Sequence, residues 1–348
     1  MQHNRSTHAQ QALSIGDITI DAFIELEQKS AHIEHEMYGN EICMNFGDKL
    51  PYRNIIEVPA VGNSANASVA MARLGLSSAL LAYVGDDIHG KQCLKQLKKE
   101  YVDTKYIVTD KNLHTNYHFV LRYGAERTIL IKHSDFKRNL KKELSGKKIP
   151  SLIYLSSIGE PPFSYYNDIA RYVYTHNIKF VFQPGTRQID IGYEKLKDIY
   201  KLTNIFTCNV EEARHILSLA SHKNIKTLSV KNILQEMHKL GPKIVVITDG
   251  PKGAYAFDGR QVKNESYFIP IYPDPKPPVD RTGAGDAFAS TFASAIMLDH
   301  DIKTALQWAG INSMSVVQYI GAQEGLLTQK KIQDFLKKAP KEYVARKM

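Results

Sequence analysis

The stretch "DRTGAGDAFAS", Asp280 to Ser290, decides how the rest of the chain is read. Gly283 and Gly285 permit backbone shapes closed to other residues. Successive amides, from Gly283, Ala284 and Gly285, then turn into one concavity that suits an anion. The small residues of "GDAFASTFASAIML" (285–298) predict a helix able to pack close to a sheet. Its free first-turn N–H groups and its dipole add to the attraction for negative charge. Asp286 stands in that first turn. It is either a plain first-turn acid or a base that takes a hydroxyl proton beside a bound phosphoryl group. No Gly-Lys-Ser/Thr follows the glycines, so this is not a Walker A loop.

Outward from this loop, apolar runs alternate with helical patterns. "ALSIGDITI" (12–20), "SALLAYVG" (78–85), "SLIYLSS" (151–157), "IKFVFQP" (178–184), "LTNIFTCN" (202–209) and "KIVVITDG" (243–250) read as strands. "NSANASVAMARLG" (63–75) and "DIHGKQCLKQLKKEY" (87–101) read as helices, the first stopped at Gly75. The rhythm predicts an α/β fold: a doubly wound, mostly parallel sheet with helices on both faces. Two regions depart from it. Residues 22–60 hold β-formers and turns, and "TNYHFVLRYGAERTILIKH" (115–133) alternates around a "YGAE" turn in the manner of a hairpin. Together they predict a small separate sheet placed as a lid.

Bulk composition narrows the function. The 348 residues are 43% hydrophobic and 23% charged, which fits a well-packed globular chain. The net charge of +9 is carried by scattered lysines that alternate with leucine, as in "KRNLKKELSGKK" (137–148). Solvated faces explain these, and no aromatic-interleaved basic stripe marks a nucleic-acid partner. Cys43, Cys93 and Cys208 lie far apart and show neither disulfide-frame nor zinc spacing, and no histidine shows ligand spacing. The polar "MQHNRSTHAQQ" start lacks a signal-peptide core, and no apolar run approaches membrane length. A cytoplasmic setting with no membrane partner is expected, with residues 1–10 as a flexible tail.

The glycine loop closely resembles the D-T-x-G-A-G-D signature of the ribokinase-like sugar and nucleoside kinases, the PfkB family, with Arg281 as a departure. Further segments match in order. "VGNSANASVAMARLG" (61–75) is similar to the G-G-x-x-x-N-x-A signature, with Val61 in place of the first glycine. "SIGDITID" (14–21), "GAERTI" (124–129), "NVEE" (209–212) and "TDGPKGA" (248–254) resemble the first strand, the lid return strand, the N-x-x-E motif and the nucleotide-binding loop.

The resemblance implies a ribokinase-like fold over residues 11–340, with a lid from about 22–60 and 115–133. It implies an ATP- and Mg2+-dependent kinase acting on a sugar or nucleoside hydroxyl. Asp286 would be the base, with Gly283, Ala284 and Gly285 receiving the γ-phosphoryl. Asp17, Asp21, Gly62, Asn63 and Asn66 would hold the acceptor. Asn209, Glu212, Thr248, Gly250, Gly253 and Asn312 would serve the nucleotide, with Glu212 reaching magnesium through water. For Asn209 and Glu212 a capping box is the other reading, and for Asn312 plain helix packing. The resemblance also implies a monovalent cation such as K+ near the loop, and pairing of two copies through exposed lid edges.

The carboxylates of "GDITID" suit neutral hydroxyls and would repel a sugar phosphate. A non-phosphorylated, ribose- or fructose-like sugar is therefore the first expectation. An adenosine-like nucleoside is the alternative, with Tyr38 and Phe46 as a shelf for its base. The lid residues Tyr117, His118 and Arg122 alternate, so one face could touch substrate, with a plain solvated sheet face as the other and favoured reading.

Overall fold

The computed structural model describes residues 11–36, 39–124, 126–221, 225, 227–260 and 264–348. The expected tail, 1–10, and the shelf candidate Tyr38 lie outside them.

Among the described residues, nine strands form one large sheet. Its order is 77–81, 11–15, 152–155, 179–182, 205–209, 244–248, 254–258, 265–269 and 346–347. Neighbours are parallel up to Ile244–Thr248, and the last three strands are antiparallel. Successive side chains point to opposite faces of a strand, and both faces are covered. One layer buries Leu13, Ile15, Phe180, Phe182 and Phe206 under helices that include Phe163–His176 and Val210–Ser221. The other buries Ala12, Tyr154, Val181 and Ile205 under Ala284–Met297 and Ile302–Val316. This is the doubly wound architecture that near-continuous apolar strands require.

The order reverses at Gln11–Ile15, flanked by Ser77–Leu81 on one side and Leu152–Leu155 on the other. In such sheets the crevice outside the carboxyl ends of the strands, at the reversal, is where ligands bind. Asp17 follows the strand that marks it.

The run 12–20, read as one strand, is two. Gln11–Ile15 belongs to the large sheet and Thr19–Leu26 to a separate four-stranded sheet. The break falls at Gly16, where a Cβ would sit 2.7 Å from the Ser157 carbonyl and 2.8 Å from the Ser64 side chain. Apolar alternation continues across the break, so periodicity alone does not reveal it. Likewise 78–85 divides into Ser77–Leu81 and Tyr83–Gly85.

In the small sheet Thr19–Leu26 pairs antiparallel with Tyr52–Val61 and parallel with Asn116–Tyr123, which turns back into Glu126–Leu130. His118 and Arg122 share one face with Asp21, by the register Asp21↔His118 and Glu25↔Arg122. Tyr117 lies on the other face, with its hydroxyl donating to Glu57. A hairpin, His32–Glu36 with Gly39–Cys43, is inserted between the first two strands of this sheet.

Candidate active site

Two helices of small residues create the centre of the site. Asn63–Arg73 is buried from Ser64 to Met71, and Ala284–Met297 from Asp286 to Ala295. Alanine and serine at the contact let the helices approach closely, and their N-termini meet at the carboxyl edge of the large sheet. The close approach brings Asn63 and Asn66 to Asp286, more than 200 residues away in sequence.

Asp286 is 8% exposed, and three amides converge on its carboxylate. Oδ1 accepts from Asn63 Nδ2 at 2.8 Å and from Gln183 Nε2 at 2.9 Å. Oδ2 accepts from Asn66 Nδ2 at 2.8 Å. A second set of bonds fixes which way these amides face. Tyr154 donates its hydroxyl to the Gln183 oxygen. Gln323 Nε2 donates to Asn66 Oδ1 at 3.0 Å and to the Ala60 carbonyl at 2.6 Å. The carboxylate is therefore held at one orientation by a chain of amides whose far end is backbone. Burial pushes the Asp286 carboxyl above the ordinary aspartate range, and the Asn66, Asn63 and Gln183 bonds pull it partly back. A carboxylate with a raised proton affinity is a better base than an exposed one.

The loop before this helix is braced from below. Asp280 Oδ1 accepts from the Thr282 amide at 3.0 Å and hydroxyl at 2.7 Å, while Oδ2 accepts from the Gly321 amide at 3.0 Å. Gly283 caps the helix at φ 80°, and a Cβ there would lie 2.2 Å from Ala322 Cβ. Gly285 is different. It sits inside the helical turn, and a Cβ on it would meet nothing within 4 Å. Its smallness keeps space open before the first-turn amides, which have no acceptor within an α-helix. The Ala284 amide makes one long contact, 3.4 Å to the Arg281 carbonyl.

A cleft of about 470 Å3 opens in front of that helix end. Thr248, Gly250, Gly253, Ala284, Gly285 and Asn209 line it together with Ile269, Ile271, Phe288 and Met314. The volume and the largely apolar wall with a few convergent polar groups fit a nucleotide. The apolar side chains suit a flat base and the loop suits its phosphates. Gly253 has φ 102°, and a Cβ would sit 2.2 Å from the Ile269 carbonyl, so this corner of the wall requires glycine. Arg281 lines the same cleft near Asp274, whose carboxyl burial pushes up and the Arg281 charge pulls down.

Asn209 and Glu212 form the capping box. The Glu212 amide donates to Asn209 Oδ1 at 2.8 Å, and the Asn209 amide donates to Glu212 Oε2 at 2.9 Å. Burial pushes the Glu212 carboxyl up, the Asn209 bond pulls it back, and the Asp286 charge adds to the rise. Two carboxylates close enough to feel each other suit a divalent cation between nucleotide and protein. Carboxylates of this character would suit magnesium, with Glu212 reaching it through water. Asn312 is placed otherwise than expected. It is fully buried, donates to Thr291 Oγ1 at 2.7 Å and accepts from the Leu327 amide at 2.8 Å. Its neighbours Gly310, Ser313 and Met314 line the cleft instead. A fully buried side chain that bonds its packing partners does not reach the cleft.

The residues expected to hold the acceptor lie at the sheet reversal. A Cβ on Gly62, at φ 111°, would lie 2.9 Å from the Asp17 carbonyl, which also accepts from Ser64 Oγ at 2.8 Å. The helix carrying Asn63 and Asn66 thus starts against Asp17. The Asp17 carboxylate accepts from the Gly159 amide at 2.6 Å and pairs with Arg138, whose side chain is 5% exposed. His133 Nδ1 stands 3.3 Å from Asp17 Oδ2. Burial lowers the proton affinity of His133, and the Asp17 charge opposes this. Asp21 faces His118, with Nδ1 3.4 Å from Oδ1. Val61 is buried in the small sheet opposite Thr19.

Gln183, Arg138, His133 and Asp280 are the residues that the sequence reading misses. Gln183 had a signal: it directly follows Lys179–Phe182, at the same carboxyl edge as Asp17, Asn209 and Thr248. Arg138 had none. It sits in a lysine-rich run that reads as a solvated face. The carboxylates of "GDITID" are consequently not bare, since Arg138 matches the charge of Asp17. Phe46, offered as a shelf, is fully exposed.

Residues 40–329 match the profile of the pfkB family carbohydrate kinases. The chain belongs to this family. A kinase of this family is a phosphotransferase with an alcohol group as acceptor. The ribokinase of Bacillus subtilis is 27% identical over 285 residues, covering 79% of this chain and 87% of that protein. The nucleoside kinase of Methanocaldococcus jannaschii is 26% identical over 310 residues, covering 84% and 92%. The solved structure of Arabidopsis thaliana ribokinase complexed with ribose and ATP superposes with a TM-score of 0.74 at 20% identity, covering 95% of this chain and 99% of that one. This places the fold of the pfkB protein described here among the ribokinase-like structures.

Proposed function

We propose that this pfkB kinase transfers the γ-phosphoryl group of ATP to a hydroxyl of a non-phosphorylated sugar, with Asp286 as the base. The observation that carries the proposal is the buried carboxylate with three convergent amides, in the first turn of a helix whose amides open on the cleft. The acceptor oxygen forms its bond to the γ-phosphorus as the bond to the ADP oxygen breaks. The hydroxyl proton passes to Asp286. The Gly283–Gly285 turn receives charge that spreads over the phosphoryl oxygens. Magnesium, when bound, would share that charge, with Glu212 holding it on the protein side. A monovalent cation such as K+ belongs to the same reading, and replacing potassium by sodium in the assay tests it.

The acceptor corner supports a sugar. Asp17, Asn63, Asn66 and His133 offer hydrogen-bond donors and acceptors of the kind a polyol needs. The aromatic shelf a nucleoside would want is not formed by Phe46. Nucleoside phosphorylation is the second reading, motivated by the relative from Methanocaldococcus jannaschii. ATP consumption measured on matched panels of free sugars, sugar phosphates and nucleosides decides between them. The highest kcat/KM is expected for a free pentose or hexose. A nucleoside or a sugar phosphate at the head of the ranking would sink the sugar assignment while leaving the kinase chemistry standing.

Arg138 then acts as a positioning residue, by holding Asp17 ready for acceptor hydroxyls. Arg138→Lys keeps the charge but replaces a flat forked donor by a single ammonium. The KM of the best acceptor is expected to rise about tenfold, the scale of one charge-assisted hydrogen bond. The KM of ATP should stay put. Parallel saturation curves in both substrates check this, and equal rises in both would mean general distortion instead.

The face of the small sheet turned from Asp21 carries exposed Ile55, Phe119 and Leu130, in the rows Ile24↔Ile55 and Ala22↔Phe119. We read it as the surface through which two copies pair. Sedimentation of Phe119→Lys at micromolar concentration should then give a monomer where the unaltered chain gives a dimer. No helix among the described residues is long and apolar enough to cross a membrane. Cys93 and Cys208 are buried thiols, which suits the reducing cytoplasm proposed as its setting.

A further inference from the structure

One cluster of metal-ligating side chains lies outside the cleft, on the hairpin of His32–Glu36 and Gly39–Cys43. His32 pairs directly with Cys43, and Glu34 with Glu41. Directly opposite residues share a face, as do residues two apart on a strand. One face of the hairpin therefore carries an imidazole, a thiol and two carboxylates. His32 Nε2 stands 3.1 Å from Glu34 Oε1. Ligand atoms of His32, Glu34 and Cys43 all lie within 4.8 Å of one another. No linear spacing motif announces this set, because strand alternation and cross-strand pairing assemble it rather than a short loop.

Two features of the hairpin call for a cation. Glu34 and Glu41 are like charges placed directly opposite each other, an arrangement that destabilises a strand pair. Among the described residues the hairpin is also a two-stranded sheet of its own, not hydrogen-bonded into either larger sheet. Isolated two-stranded hairpins are marginal in water and are commonly stapled. A divalent ion bridging the strands answers both. The donor set names its class. Thiolate with imidazole and carboxylate suits zinc, or cobalt in its place, whereas magnesium and calcium take oxygen ligands.

We propose that His32, Glu34 and Cys43 bind one zinc-class ion that clips the two strands together, with Glu41 or water in the fourth position. Cys43 binds as thiolate, and its proton leaves to solvent on binding. Neither Cys93 nor Cys208 can imitate this, since both are buried in the core.

The test is titration of the untagged, full-length chain with Co2+. One equivalent should bind with a thiolate-to-cobalt charge-transfer band and the intense visible bands of a four-coordinate ion. Added Zn2+ should abolish both. Cobalt at the Glu212 site would meet oxygen ligands and give no thiolate band. Cys43→Ser should lose the band, and His32→Ala should weaken binding by about tenfold or more, at least the scale seen when only an outer partner of a metal ligand is removed. His32 is largely exposed and Cys43 is only partly buried. Metal-free melting and circular dichroism should therefore match the unaltered chain, showing that both variants fold. Absence of a thiolate band in the unaltered protein, or a band undiminished in Cys43→Ser, overturns the assignment.

Discussion

Asp286→Asn is expected to lower kcat by about a hundredfold or more, the usual scale for a positioned acid–base group. The KM of ATP should change little, because the helix amides and the apolar wall stay in place. The replacement also disturbs the amide chain, in a way that can be followed. Asparagine offers one acceptor where three donors now converge, so one of its N–H groups must face Asn66 Nδ2 or the pair formed by Asn63 and Gln183. Turning Asn66 over does not help, since its oxygen accepts from Gln323, and turning Gln323 over would set its oxygen against the Ala60 carbonyl. The unpaired group costs about 1–3 kcal/mol. Urea unfolding run beside the kinetics separates the two effects. If Asp286→Asn remains folded and keeps more than a tenth of the rate, another group takes the proton.

The same carboxyl sets opposite slopes in pH. Because burial raises its proton affinity, the acid limb of kcat should lie above the ordinary aspartate range, with activity falling as pH drops through that value. Stability runs the other way. The folded chain keeps this proton to a higher pH than the unfolded chain, so folding takes up a proton between the two values. The stability contributed is full below the unfolded value and is lost as pH rises through the folded one. Asp286→Asn should remove this slope from a pH series of unfolding curves.

Gly283→Ala is expected to cost about 2–5 kcal/mol. The residue sits at φ 80°, where a Cβ strains the backbone by roughly 1–2 kcal/mol. That Cβ would also lie 2.2 Å from Ala322 Cβ and 2.6 Å from its Cα, and overpacking of this kind adds about 1–3 kcal/mol. Activity should fall with stability, because relief of the overlap must move the turn whose amides face the cleft. Gly285→Ala is the control. Its Cβ meets nothing in the protein, so its melting temperature should stay near that of the unaltered chain while the KM of ATP rises. A Gly283→Ala protein with an unchanged melting temperature would show that the turn has slack the contacts do not suggest.

The two-faced sheet was legible because buried parallel strands are apolar throughout and helices alternate with them. The glycine turn and the helix that follows it were legible because their local pattern is dense, whereas the bonds of Asn63 and Asn66 to Asp286, in place of the acceptor contacts expected of them, were not. What periodicity could not show was the break at Gly16, where apolar alternation runs on while the backbone changes sheets. Nor could it show Arg138, because a buried arginine and a solvated one are the same letter in a lysine-rich run. Asn312 misled for a related reason: a polar residue in a helix beside a cleft can spend its amide inward, on Thr291 and the Leu327 backbone. Long-range partners, rather than local preference, settle all three.

Three residues, from Gly16 to Ile18, join the last position of the large sheet to the first of the small one. Asp17 is the middle of that link. A tilt of one sheet against the other would turn this link, and with it the aim of the Asp17 carboxylate. If the acceptor seats on this carboxylate as proposed, its binding and the angle between the two sheets are coupled through one short link.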